Sequence, residues 1–321
     1  MIDHRLHRKR NQLSRVILIF LLAVVGGVSI VHAQNSDLTL SEGVVVDPSQ
    51  NVVYALDSAA NLMALDLSSG SEKWTVAEAY KPLLVVGGRL LCQSANFDTL
   101  NQFDLVELDV STGRQQGSGY SSLLPQAVAV NQPDQRKSVF NVQAQIVNDQ
   151  PYLAWYYRQI PRRGLFEAQE ETQENSGFLQ INPSAHTMDT LSAASLSLPQ
   201  RSIIKPRSSV EFEGQEYYAP DRTHYLRSRK VADDLTFNSY QWEIFRTSDD
   251  QRIGVLNDYR SFAPFYVYQG VIIYTVGPYT VNQEGKMVTQ PLALRGFDLT
   301  SNLQAWLVTV LDPTYRGPVP P

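Results

Sequence analysis

Few residues of this 321-residue chain have the type and spacing that chemistry requires. Of five histidines, His4, His7 and His32 fall within the first 33 residues, which leaves His186 and His224 for the rest. Two imidazoles exclude a three-histidine metal site and argue against a His-rich zinc or copper centre. A serine hydrolase would need one of them as its base, and no Gly-x-Ser-x-Gly elbow accompanies either. His224 sits in Ala219-Pro220-Asp221-Arg222-Thr223-His224-Tyr225 and reads as polar surface before it reads as a site. The single cysteine, Cys92, lies in the apolar run Leu90-Leu91-Cys92. It reads as a buried, inert thiol, and alone it can form no intramolecular disulfide.

Carboxylates and aromatics are the remaining candidates. An acid and a base can meet from distant parts of a chain, and spacing does not reveal such a pair. Asp66, Asp109 and Asp298 recur in one local pattern, described next, so turn closure accounts for them. The unrepeated Glu211, Glu213, Asp221 and Glu243 stay open as axial acids or bases. Aromatics are plentiful, with Trp155-Tyr156-Tyr157, Tyr217-Tyr218, Phe262, Phe265-Tyr266 and Tyr268. Their ordinary use in strands is to fill space between sheets. Neighbours along a strand point to opposite faces, however. Trp155, Tyr156 and Tyr157 therefore form a candidate surface for a sugar or a peptide.

The elements that must position these residues are strands. After residue 40 the apolar runs are short, as in Val44-Val45-Val46, Leu83 to Val86, Tyr152 to Tyr157 and Tyr266 to Val276, and no helical period persists for three turns. The expectation is an all-β chain. One pattern recurs: Leu65-Asp66 with Gly70 and Trp74, Leu108-Asp109 with Gly113, and Phe297-Asp298 with Asn302 and Trp306. In each copy a strand ends at an aspartate that accepts hydrogen bonds from backbone amides two or three residues on. A residue tolerant of positive φ then closes the turn, and the next strand ends in tryptophan in two copies, placed to pack between sheets. Leu179 to Pro183 and Phe245 to Asp250 read as eroded copies of the same turn.

Repeats of about 40 to 45 residues with four strands each describe propeller blades. The Leu-Asp-x-x-x-Gly-x-x-x-Trp stretch at 65–74, with weaker copies at 108–113 and 297–306, resembles the blade signature of the PQQ-like, or quinoprotein-type, β-propellers. The likeness covers roughly residues 40–117 and 262–312. It implies a propeller of four-stranded antiparallel blades numbering five to seven: the visible turns point to five, and length at about 41 residues per blade favours seven. The resemblance also raises a quinoprotein dehydrogenase with pyrroloquinoline quinone and Ca²⁺. The adjacent cysteine pair of many such enzymes is missing, and no Asp/Asn-rich loop site is present, so no cofactor and no metal are expected.

Residues 1–33 are read as a cleavable signal peptide. Arg5, Arg8, Lys9, Arg10 and Arg15 precede the uncharged run Val16 to Val31, and Val31-His32-Ala33 offers a cleavage site before Gln34. An uncleaved N-terminal anchor is the alternative. The leader carries five bases and one acid, a net of +4, so the formal −5 of the chain becomes −9 without it. Such a surface repels phosphate backbones, which argues against nucleic-acid binding. The propeller domain is placed at 34–314, with a charged loop insertion near 158–176 and a Pro-rich tail at 315–321. The functional expectation is an exported, periplasmic or secreted, non-catalytic module that binds or scaffolds another envelope or extracellular protein, or a carbohydrate. A degenerate quinoprotein oxidoreductase or a carbohydrate-active enzyme is the alternative.

Overall fold

The computed structural model describes residues 39–94, 98–130, 138–147, 150–159, 173–191, 214–234, 237–283 and 285–311. The leader, the tail, most of the loop after residue 159, and Glu211 and Glu213 lie outside the described residues.

The chain is an all-β propeller, and its described residues form five antiparallel meanders of four strands. Blade 1 comprises Val44–Asp47, Val52–Leu56, Leu62–Asp66 and Glu72–Val76, with an additional strand, Thr39–Ser41, on its inner edge. Blade 2 comprises Lys81–Val86, Arg89–Ser94, Gln102–Asp109 and Gln115–Leu123. Ser138–Val147, Gln150–Gln159, Glu174–Asn182 and Thr187–Leu191 make blade 3. Blade 4 runs through Glu216–Tyr218, His224–Asp234, Phe237–Arg246 and Gln251–Asp258. In blade 5, Phe265–Tyr268, Val271–Val276, Ala293–Asp298 and Leu303–Thr309 form the sheet, and a separate hairpin, Tyr279–Gln283 with Lys286–Gln290, is inserted between its second and third strands. That hairpin therefore belongs to one end of the propeller, while the turns between third and outer strands gather at the other.

The turn at that second end is the repeated feature. Asp66, Asp109, Asn182, Arg246 and Asp298 close the five third strands, and the residue four positions later is left-handed in every blade: Gly70, Gly113, His186, Asp250 and Asn302, with φ of 67°, 69°, 51°, 55° and 59°. The two eroded turns are thus true copies. In blades 1, 2 and 5 the aspartate carboxylate accepts the amides two and three residues on, at 2.8–3.2 Å. Asn182 does the same job with its side-chain oxygen, which accepts the Ala185 amide at 3.1 Å.

Four apolar clusters bind the blades to one another. Blades 1 and 2 share one around Tyr54, Leu62, Leu90 and Cys92. Blades 2 and 3 share a second around Phe103, Leu153 and Trp155, and blades 4 and 5 a third around Trp242, Ile244, Phe265 and Tyr274. The fourth joins blade 5 to blade 1 through Val53, Leu65, Ile273, Leu294 and Trp306, so the last blade packs on the first. Each blade is apolar because it is covered by a neighbour.

Candidate functional site, the cleft between blades 4 and 5

Blades 1, 4 and 5 share a register that explains where the molecule is sealed and where it is open. In each, a bulge in the outer strand carries the following residue across from the third strand: Trp74 opposite Ala64, Trp306 opposite Gly296, and Gly254 opposite Ile244. In blades 1 and 5 this residue is an indole that crosses to the next blade. Trp74 Nε1–H donates to the Val110 carbonyl at 3.0 Å, and Trp306 Nε1–H donates to the Leu67 carbonyl at 3.3 Å. Both acceptors immediately follow a turn aspartate. Both indoles also lie over the left-handed glycine of that turn, so that a Cβ on Gly113 would stand 2.6 Å from Trp74, and one on Gly70 2.6 Å from Trp306. Glycine is required there twice over, for its φ and for the absence of a side chain.

At the junction of blades 4 and 5 the sizes are exchanged. The large residue is Ile244 on the third strand, and the outer strand carries Gly254, over which Leu299 of blade 5 packs; a Cβ on Gly254 would meet the Leu299 Cβ at 2.6 Å. No indole crosses from position 254, and a cleft of about 530 Å³ opens beside it. Its apolar lining residues are Ile253, Val267 and Leu299, and its polar ones include His224, Arg246, Gln251, Arg252, Gln269 and Thr300.

Both arginines that line this cleft already hold carboxylate partners. Arg246 donates through Nη1 to Asp249 at 2.9 Å, and Arg252 through Nη1 to Glu243 at 2.7 Å. The two carboxylates are not among the lining residues. Burial lowers the pKa of His224, the nearby Arg246 charge lowers it further, and Asp221 opposes the shift. His224 Nδ1 is 2.8 Å from Thr223 Oγ1, which itself donates to Asp221 at 2.8 Å, so the imidazole is held in place. Arg252 lies across from Phe245 and pairs with Glu243, on the face of the sheet opposite to that of Arg246, so the two guanidinium groups do not converge on one point of the cleft.

The residues singled out by sequence fall mostly elsewhere. Asp66, Gly70, Asp109, Gly113, Asp298 and Asn302 form the turns described above. Burial works against the charge of Asp66, but hydrogen bonds from Ser68 and Ser69 outweigh it and hold the carboxyl at about 2. The Thr112 hydroxyl lowers Asp109, and the Thr300 and Ser301 amides lower Asp298. Trp155 and Tyr157 are buried against blade 2, whereas Tyr156 points to the opposite face, half-buried, with its pKa raised by burial and by its hydrogen bond to Glu174. Asp221 accepts the Thr223 amide and hydroxyl, and Glu243 pairs with Arg252. His186 stacks near Tyr120, with ring centroids 5.9 Å apart, in the seam of blades 2 and 3. Cys92 is fully buried, and burial pushes its thiol up. Among the described residues, no group of three or more His, Cys, Asp or Glu side chains is placed to hold a metal ion. Also among the described residues, no helix is long and apolar enough to cross a membrane. Arg246 and Arg252 were not legible as site residues, because their cleft is assembled from four separate stretches of chain.

No family model matches the chain, and no curated protein does. Among solved structures it is similar to BamB from Moraxella catarrhalis, at 11% identity over 84% of this chain and 64% of that one, with a TM-score of 0.26. The chain thus spans just under two thirds of that BamB chain. It is also similar to a europium-containing methanol dehydrogenase, at 10% identity over 87% of this chain and 71% of that one, TM-score 0.23. A third similar structure is the β-propeller domain of Cps50 (Swd1) from Myceliophteria thermophila, at 8% identity over 84% of this chain and 86% of that one, TM-score 0.25.

Proposed function

We propose that the chain is an exported, non-catalytic member of the PQQ-like repeat propellers that works without a cofactor and binds or scaffolds another envelope or extracellular protein. The observation that carries this reading is how the reactive groups are used. Asp66, Asp109 and Asp298 are occupied in capping turns, Asp221 in capping its own loop, and Glu243 in an ion pair. The ring meanwhile offers a recessed, arginine-lined cleft at one end and an inserted hairpin with Met287 70% exposed at the other. Rigid blades that present loops and clefts suit recognition.

A photo-reactive amino acid placed at Met287 and, separately, at Gln269 tests this in the organism of origin. The expected result is one discrete ultraviolet-dependent adduct from one end of the propeller, on a chain whose N-terminal sequence starts at Gln34. Turnover of a glycoside, or of an alcohol with an artificial electron acceptor, by the purified protein would overturn the non-catalytic reading.

A further inference from the structure

We propose that the cleft between blades 4 and 5 binds an uncharged, hydroxyl-rich ligand, the chemistry of a terminal hexopyranoside. The inference goes beyond the scaffold reading above and stands without it. The argument begins with register. His224, Arg246 and Gln251 lie directly across from one another on three adjacent strands, so their side chains share one face of blade 4. It is the face of Leu226 and Ile244, which pack against blade 5. From blade 5 the cleft takes Gln269 and Gly270, between its first two strands, and Thr300, in the turn before its outer strand. Val267 and Leu299, the apolar residues of the same lining, belong to the packed seam of the two blades. The cleft, about 530 Å³, falls within the roughly 300–1,000 Å³ typical of ligand pockets.

The lining then selects the ligand by elimination. Its charges are compensated within the protein, Arg246 by Asp249 at 2.9 Å and Arg252 by Glu243 at 2.7 Å. An anionic ligand would exchange one carboxylate for another, and no lining carboxylate is there to attract a cation. An apolar ligand would cover polar groups without bonding them, which costs their hydrogen bonds to water. The remaining groups are neutral and both donate and accept: the Gln251 and Gln269 amides and the Thr300 hydroxyl. Thr223 gives its one hydroxyl proton to Asp221, so its oxygen accepts from His224 Nδ1, and this assignment leaves Nε2 as an acceptor. Arg246 sets N–H donors in the same row. Interleaved donors and acceptors match vicinal hydroxyl groups, each of which does both, whereas a carboxylate only accepts and an ammonium only donates.

The test titrates the purified protein with the methyl glycosides of glucose, galactose and mannose, with the 6-carboxylate counterpart of each, and with inorganic phosphate, read as amide chemical-shift changes at Gln251, Gly270 and Thr300. At least one neutral glycoside is expected to bind saturably, at least tenfold more tightly than its carboxylate counterpart and than phosphate. Gln251→Ala and, separately, Thr300→Val are expected to weaken it at least fivefold, with thermal unfolding recorded for both to certify the fold, and Tyr156→Ala to leave it unchanged. No saturable shift with any of the three neutral glycosides overturns the proposal. A carboxylate counterpart or phosphate that binds as tightly as the neutral sugar overturns the uncharged ligand class. Loss of binding in Tyr156→Ala but not in Gln251→Ala moves the sugar to blade 3 and overturns the cleft. The crosslinking result is independent: an adduct without sugar binding removes this site and keeps the scaffold, whereas sugar binding without an adduct removes the protein partner and keeps the site.

Discussion

The junction of blade 5 with blade 1 and that of blade 4 with blade 5 are built on the same bulged register and differ in the pair that follows the bulge, Gly296 with Trp306 in one and Ile244 with Gly254 in the other. Where the outer-strand residue is Trp306, an indole crosses the seam, meets the Leu67 carbonyl and leaves no room for a Cβ on Gly70. Where it is Gly254, Leu299 leans across instead and a polar cleft stays open. The repeat therefore separates two tasks: the turn fixes the backbone of every blade, and the residue beyond the bulge decides whether a junction is a seam or a recess. Trp306 is one member of the apolar cluster that holds the first blade to the last. The blade 4–blade 5 junction keeps its own apolar core around Trp242, Ile244, Phe265 and Tyr274, so the recess lies beside a packed seam and does not replace it.

The strongest way to break this comparison is to remove the indole. Trp306 is 7% exposed, and Trp→Ala at a buried site costs about 3–5 kcal/mol. Against a domain stability of roughly 5–15 kcal/mol that is a large fraction. Trp306→Ala is therefore expected to bring the urea midpoint down sharply, and Trp74→Ala, at a more exposed indole, to do so less. A Trp306→Ala protein that unfolds like wild type would mean that the ring is not held shut by this contact.

A smaller effect separates docking from backbone strain. Gly113 and Gly87 are both left-handed, at φ of 69° and 57°, but a Cβ on Gly113 would stand 2.6 Å from Trp74, while one on Gly87 meets nothing within 4 Å. Alanine at positive φ costs about 1 kcal/mol at either site. Displacing the indole should add about 1–3 kcal/mol at Gly113 alone. Equal costs in urea unfolding would show that the glycine serves only the turn. In the Trp74→Ala background the excess at Gly113 should vanish, since the two residues are in contact.

Much of this was readable from the residue order, and the part that was not has a physical cause. The Asp66, Gly70 and Trp74 spacing specifies strand, turn and an indole facing a neighbour, all local properties. The identity of that neighbour is non-local: Trp74 meets Val110, and Trp306 meets Leu67 from 239 positions away. The turns of blades 3 and 4 keep the four-residue spacing but place His186 and Asp250 at left-handed positions, so residue type concealed what geometry preserved. Strand alternation set Tyr156 against Trp155 and Tyr157, yet only the packing of blade 2 determined which face is core. The cleft left no local signature, because its walls come from His224, residues 246–253, residues 267–270 and residues 299–300.

The smallest effect concerns the turns themselves and divides blades by acid sensitivity. Asp66, Asp109 and Asp298 have carboxyls below the usual range, with Asp66 at about 2. An unfolded aspartate titrates near 3.9, so between these values the unfolded chain binds more protons than the folded one, and stability rises with pH. The contribution of Asp66 is fully present above about pH 4 and is lost as pH falls through about 2. The blade 3 turn is capped by an amide oxygen, Asn182 accepting from Ala185, and has no such proton to gain. Amide shifts of Ser69, Thr112 and Ser301 should therefore move on acidification from pH 5 to 2, while Ala185 stays fixed until the whole chain unfolds. If Ala185 moves with the same midpoint as the other three, the turns are reporting a global transition, and carboxylate capping is not what distinguishes the blades.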